Sequence, residues 1–336
     1  MSLLQSYRMR LRRKRYRLRA LRKSFELRKV SDRTARIGPQ DLLVFVTLRN
    51  ERIRLPYFLD YYRRIGAGHF LIVDNDSDDG GREFLAEQED VSLWTTPASY
   101  KASRYGVDWM NHLMRRHGHG HWTLVVDPDE FFIYPFCDTR PVQALTDWLD
   151  ACGQRSFGAM LVDLYPKGPL DAEPYQEGQD PMEIANWFDS GNYTISRNPL
   201  YHNLWIQGGP RARAFFADKP KAAPSLNKIP LVKWRKNYVY VQSTHMLLPR
   251  GLNHVYDRQG GEMTSGALLH AKFLNTLEQK AEEELQRGEH YAGSREYRAY
   301  AEHLKDRTVL WNRWSEKYIN WRQLEILGLM SKGNWA

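Results

Sequence analysis

Short apolar runs alternate with amphipathic stretches along the chain after residue 40. Residues 41–47 read as a buried strand, 55–65 as a helix closed by Gly66 to Gly68, and 70–73 as a second strand. A short helix over 82–88 follows, then a strand over 91–95. Next come a helix over 103–116, with Trp109 and Leu113 on one face, and a strand over 122–126. Strands separated by single helices predict βαβ units, hence an α/β fold with a mostly parallel, Rossmann-like sheet flanked by helices. Further on, 141–151 reads as a helix with Leu145, Trp148 and Leu149 inward, and 159–162 as a strand ending in Asp163. Residues 168–181 carry Gly, Pro and acids and predict a long loop over the site. Residues 238–244 look β-like and end at His245. From residue 276 the pattern turns helical, over 277–287, 294–305 and 309–327, with Trp311, Trp314 and Trp321 expected to pack on the body or the acceptor side.

Before residue 40 the pattern is different. Leu4, Leu11, Leu18 and Phe25 recur every seven residues, Tyr7 and Leu21 fall on the adjacent seam, and Arg or Lys fills most other positions. At helical period this is an apolar stripe with cationic flanks. Residues 1–30 could lie on an anionic membrane surface, pair with another helix, bind a polyanion, or be a solvated helix without a role. Residues 31–40, with Gly38-Pro39, read as a linker. Three units are expected: an arm and linker over 1–40, an α/β domain over 41–275, and a helical extension over 276–336 packed on the body.

Charge sharpens that division. The 336 residues carry a net +9, but residues 1–40 hold 14 Lys/Arg against 2 Asp/Glu. The remaining residues hold 35 Lys/Arg and 38 Asp/Glu, a net of −3. The basicity belongs to the arm, so overall charge gives no ground for a nucleic-acid partner. Cys137 and Cys152 are the only cysteines, which excludes a disulfide scaffold and a cysteine-rich zinc module. The longest apolar runs fall far short of the roughly 20 residues of a spanning helix. The start lacks the apolar core of a secretory signal. A cytoplasmic protein is expected, peripheral on the inner membrane face if the arm binds lipid.

The chemistry gathers where the strands end. The first runs into Thr47-Leu48-Arg49-Asn50-Glu51, the second into Asp74-Asn75-Asp76-Ser77-Asp78-Asp79-Gly80, and the fourth into Asp127-Pro128-Asp129-Glu130. In open parallel sheets ligands collect beyond these carboxyl ends. Acids massed there repel one another unless a cation or a set of donors compensates them, and a hard divalent ion such as magnesium or manganese is the economical expectation. A turn with helix capping accounts equally well for Ser77 to Asp79.

With these motifs in view, the chain resembles a glycosyltransferase of the family 2 type, with the nucleotide-sugar-binding GT-A fold. The resemblance rests on Arg49-Asn50-Glu51, on Val73 to Gly80 and on Asp127-Pro128-Asp129-Glu130-Phe131. It covers residues 41–135 well and continues loosely through Gly208 to Arg211, Ser243-Thr244-His245 and Leu268 to Phe273. An Asp-x-Asp alone is a weak signal; three motifs in order at strand ends make a strong one. The resemblance implies that Thr47, Arg49, Asn50, Glu51 and Asn75 sit by the nucleotide, that Asp74 receives the base or ribose, and that Asp127 faces the ribose or a metal-bound water. Asp129 would bind Mn2+ or Mg2+ directly. It also implies inverting transfer of a sugar from a nucleotide-diphospho-sugar donor to a glycan or glycoconjugate hydroxyl.

The second half supplies further candidates. Arg211 follows Gly208-Gly209 and is a candidate phosphate or acceptor contact, with a surface arginine the alternative. His245 and His270 compete to serve the metal, and Lys228, Lys233 and Lys272 are possible diphosphate contacts. The carboxylate base is taken first as Asp163, because it too follows a strand, with Asp189, Asp218 and Glu262 left open. His117, His119 and His121 read as a glycine-spaced solvated loop rather than a metal site. Two other classes remain: an aspartyl phosphotransferase, which would place its acid pair after the first strand, and a basic-arm adaptor using the α/β body as a scaffold.

Overall fold

The computed structural model describes residues 3–258, 261–289, 296–300 and 308–336. It is α/β, with a large mixed, mostly parallel central sheet flanked by helices, compatible with a Rossmann-like fold. Among the described residues no helix is long and apolar enough to cross a membrane.

The sheet has nine strands: β1 (Arg28–Ser31), β2 (Leu42–Leu48), β3 (Ala67–Asp74), β4 (Val91–Thr95), β5 (Trp122–Val125), β6 (Glu130–Ile133), β7 (Ser156–Asp163), β8 (Asn227–Lys233) and β9 (Gly266–His270). Their spatial order is β1-β4-β3-β2-β5-β8-β7-β9-β6. Strands β4, β3, β2 and β5 are parallel neighbours, as the βαβ pattern predicts. Strand β8 runs antiparallel between β5 and β7, β9 returns parallel to β7, and β6 pairs antiparallel with β9. Strand β8 went unrecognised because Pro230 lies inside it. The register shift between Lys228 and Leu231 absorbs the missing N–H. Strand β1 lies in the arm and pairs antiparallel with β4, so the segment read as a linker begins in sheet structure.

Strand β2 shows why the centre reads as continuous apolar sequence. Leu42, Val44, Val46 and Leu48 face one buried cluster, and Leu43 and Phe45 face the other. Both faces are covered, so alternation disappears. Helix α1 spans Leu3–Lys23. Helix α2, Leu55–Ile65, buries Leu55, Phe58, Leu59 and Tyr62 at helical spacing and ends at Gly66, whose φ of 110° only glycine adopts at low cost. Helix α3 spans Gly81–Glu87, and α5, Val142–Ala151, covers the same face as α2. Helix α4, Val107–His117, starts late because Arg104, Tyr105 and Gly106 are all left-handed and break the expected run from residue 103.

The loop over 168–181 is irregular up to a short helix at Pro181–Ile184, but it packs on Arg52, Ile53 and Asn275 rather than lining the cleft described below. Helix α6 spans Thr276–Arg287 as expected, and residues 296–300 are helical; the rest of the helix expected over 294–305 falls outside the described residues. The long helix expected over 309–327 does not form. Asn312 and Ser315 bond the local backbone, Ser315–Lys317 pairs as a strand with Trp187–Asp189, and only α7, Trp321–Ile326, is helical, capped by Asn320. Trp321 packs on Phe136, whereas Trp314 is exposed.

Candidate functional site

Strand direction assembles the site. Strands β2, β3, β5, β7 and β9 deliver their carboxyl ends to one rim of the sheet, while β8 and β6 run the other way and begin there. The rim therefore collects Asp127 and Asp129 after β5, Glu130 at the start of β6, Lys228 near the start of β8, Asp163 at the end of β7 and His270 at the end of β9. His270 and Asp163 are register partners across β9 and β7. An open cleft lies over this rim. Of the expected residues it is lined by Thr47, Arg49, Glu51, Asn75, Asp127 and Asp129, joined by His270 and Lys272. Tyr100, Lys280, Glu284, Arg287 and Tyr297 also line it and were not anticipated.

The acids are compensated by the protein itself. His270 places Nε2 at 3.3 Å from Asp129 and Nδ1 at 2.6 Å from Asp163, so a charged ring donates to both carboxylates. Asp163 is buried and also receives Nε and one terminal nitrogen of Arg211 at 2.8 and 3.0 Å. Arg211 approaches Glu296 at 3.5 Å, and Glu296 accepts from Lys272 at 2.9 Å. On the other side Lys228 lies 3.2 Å from Asp127 and 2.6 Å from Glu130.

Two of the expected residues stand behind the cleft. Both oxygens of Asp163 are held by cations, Arg211 and His270, and Asp163 does not line the cleft. Arg211 does not line the cleft but stands behind His270 in a buried ion pair.

These pairings set the acidities. For Asp129 burial opposes ionisation, but the neighbouring His270 outweighs it and holds the carboxyl well below its ordinary value. Asp163 is lowered in the same way, with Arg211 and His270 prevailing over burial. Glu130 goes the other way: burial, only partly offset by Lys228, raises it to about 7. For His270 burial is overcome by Asp129 and Asp163, and its pKa is raised to about 9 from 6.5. The folded state thus holds a proton that the unfolded chain releases above 6.5. This contribution to stability is complete below pH 6.5 and is lost as pH rises through about 9. In EDTA the His270 contribution, read as the difference in unfolding free energy between wild type and His270→Gln, should fall by on the order of 3 kcal/mol over that interval. Urea midpoints of both proteins at a series of pH values measure it. A difference that does not change with pH would contradict it.

The ends of β2 and β3 form the opposite wall. Arg49 donates to the carbonyls of Asn75 and Asp76, and Asn50, held at a φ of 49°, links to Ser77 and Asp78. Helix α6 closes onto these groups. Glu283 accepts from Arg49 at 3.1 Å and from Asn50 at 2.9 Å, Lys280 pairs with Glu51, and Arg287 donates to Asn75 at 3.2 Å. Asp74 sits beneath this wall, fully buried. Its Oδ1 accepts from the Ser77 amide at 3.1 Å and lies near Arg82, while Oδ2 has no hydrogen-bond partner among the described residues. Asp74 therefore caps the turn and does not line the cleft, unlike its neighbour Asn75.

Other candidates lie elsewhere. His245 bonds the Asn227 carbonyl through Nδ1 and packs near Trp205 outside the cleft lining; His270 is the histidine beside Asp129. Asp189 is paired with Arg213, Asp218 and Glu262 are exposed, and Lys233 pairs with Asp150. His117 ends α4 beside Trp94, and His121 bonds the Asp41 carbonyl. Among the described residues no group of three His, Cys, Asp or Glu side chains is arranged to hold a metal ion. No protein-family model and no curated protein matches the chain.

Proposed function

We propose that the protein is a glycosyltransferase of the family 2 type with a GT-A fold, which takes a nucleotide-diphospho-sugar donor in the rim cleft and passes the sugar to a glycan or glycoconjugate hydroxyl. The observation that carries this reading is the meeting of Asp127 and Asp129 with Arg49, Lys272, Lys280 and Arg287 around one cleft at the carboxyl ends of parallel strands. Its mixture of carboxylates and cations suits a diphosphate together with a divalent ion.

The donor set bears on the metal. Asp127 is half-exposed with one oxygen toward Lys228, and Asp129 is engaged on one oxygen by His270. Two carboxylates do not make a resident site, but they fit magnesium or manganese that takes its remaining ligands from a diphosphate and water. When bound, the ion would stabilise negative charge on the departing diphosphate. The chain's own residues contribute the rest. Lys272 adds positive charge near the diphosphate, and His270, fixed by Asp163 and Arg211, holds Asp129 in place. Arg49 and Asn50 already bind an anion, the Glu283 carboxylate, so a phosphate there would exchange one anion for another. Among the described residues the carboxylates that line the cleft are Glu51, Asp127, Asp129 and Glu284, and the proposed proton acceptor is drawn from this set.

The test is hydrolysis of a panel of nucleotide-sugars with manganese or magnesium, read as released nucleoside diphosphate. Release from one donor class, dependent on the ion, is expected. Release of inorganic phosphate from simple phosphoesters, with no nucleoside diphosphate from any donor, would contradict the reading.

A further inference from the structure

Helix α1 does not trail from the protein; it is docked on it by the face opposite the apolar stripe. Met9 and Tyr16 pack with Val239, Val241, Met246 and Leu248, and Ala20 is buried. Arg19 meets the buried Asp108 at 2.6 Å, Arg12 donates to the Tyr201 hydroxyl at 3.2 Å, and Arg104 lies over the Tyr16 ring. Leu11 and Leu18 are two and nine residues from Met9, which at about 100° per residue places them roughly half a turn away. Accordingly Leu4 is 58% exposed, Leu11 46%, Leu18 58% and Phe25 87%. Arg8, Arg15 and Arg22, all exposed, run along one edge of the stripe. Near Phe25 the stripe meets an open hollow lined by Leu21, Leu27, Trp94 and Leu113 together with Lys29, Asp32 and Arg116.

We propose that this outward face of α1 is a membrane-docking surface that seats the body on a bilayer bearing anionic headgroups. Charge complementarity selects the occupant. The helix holds no acidic residue, so a second copy laid stripe to stripe would bring like charges together. A polynucleotide would satisfy the arginines but leave the leucines in water. An anionic bilayer takes both, with leucines in the acyl boundary and guanidinium groups at the phosphates. Because Asp108, Tyr201 and the Met9 cluster fix the helix to the body, docking also fixes the orientation of the body on the membrane. The surface is independent of the cleft and its chemistry.

The experiment is co-sedimentation of the full chain with vesicles of phosphatidylcholine alone and of phosphatidylcholine and phosphatidylglycerol in equal parts. Wild type should bind the anionic vesicles and bind them more weakly as salt rises. The triple variant Leu4→Glu, Leu11→Glu, Leu18→Glu should lose affinity by on the order of a hundredfold. The triple variant Arg8→Gln, Arg15→Gln, Arg22→Gln should lose about as much, near a factor of a hundred. All six positions are exposed, so both variants should melt with wild type. Three results would overturn the proposal: no binding of wild type to anionic vesicles, undiminished binding of the leucine variant, or a lipid-free dimer that the leucine variant dissociates.

Discussion

Arg211→Met is expected to destabilise the protein by about 3–5 kcal/mol, the cost of leaving a buried carboxylate without its principal partner. The side chains of Arg211 and Asp163 are 4% and 1% exposed, so water cannot replace the lost guanidinium. His270 remains beside Asp163 but is shared with Asp129. The double variant Arg211→Met, Asp163→Asn should recover part of the loss, because the uncompensated charge is gone. Urea denaturation of the wild type, the single and the double variant measures both effects. A single variant as stable as wild type would mean that Asp163 is not held as described.

Asp129→Asn should lower donor turnover by on the order of a thousandfold, the scale of removing one electrostatic stabiliser from a transition state. The substitution keeps the shape and one acceptor for His270 but removes the charge on which a divalent ion would rest. His270, relieved of one of the two carboxylates that raise its pKa, should titrate below about 9 in the variant. Ion-dependent turnover should vanish while nucleotide binding without metal persists. Wild-type turnover by the variant in EDTA would remove Asp129 from the mechanism.

What could be read from the chain followed from local pattern. Strands β2 to β5 and helices α2 and α5 announce themselves by apolar runs or helical spacing, and Asp127 and Asp129 are visible because they interrupt apolar sequence at a strand end. Strand β8 hides behind Pro230, and α1 conceals its docking face because the outer stripe is the more apolar one. The cations of the site were harder to place. Lys228 and His270 reach the acids only because β8 runs against its neighbours and β9 pairs beside β7. Lys280 and Arg287 come from a helix that looked like part of a separate extension. Clustered acids suggest a divalent ion shared with phosphate oxygens, and Lys228, His270 and Arg211 already pair with Asp127, Glu130, Asp129 and Asp163. On the proposed function, a divalent ion would enter the site only together with phosphates that complete its coordination.

That claim is measured most directly by calorimetric titration of the protein with manganese alone, with nucleoside diphosphates alone, and with both. The account predicts weak or no heat from manganese alone and, for one nucleoside diphosphate class, binding that manganese tightens, with that tightening lost in Asp129→Asn. Tight binding of manganese alone, or no heat from any nucleoside diphosphate with manganese, would contradict it.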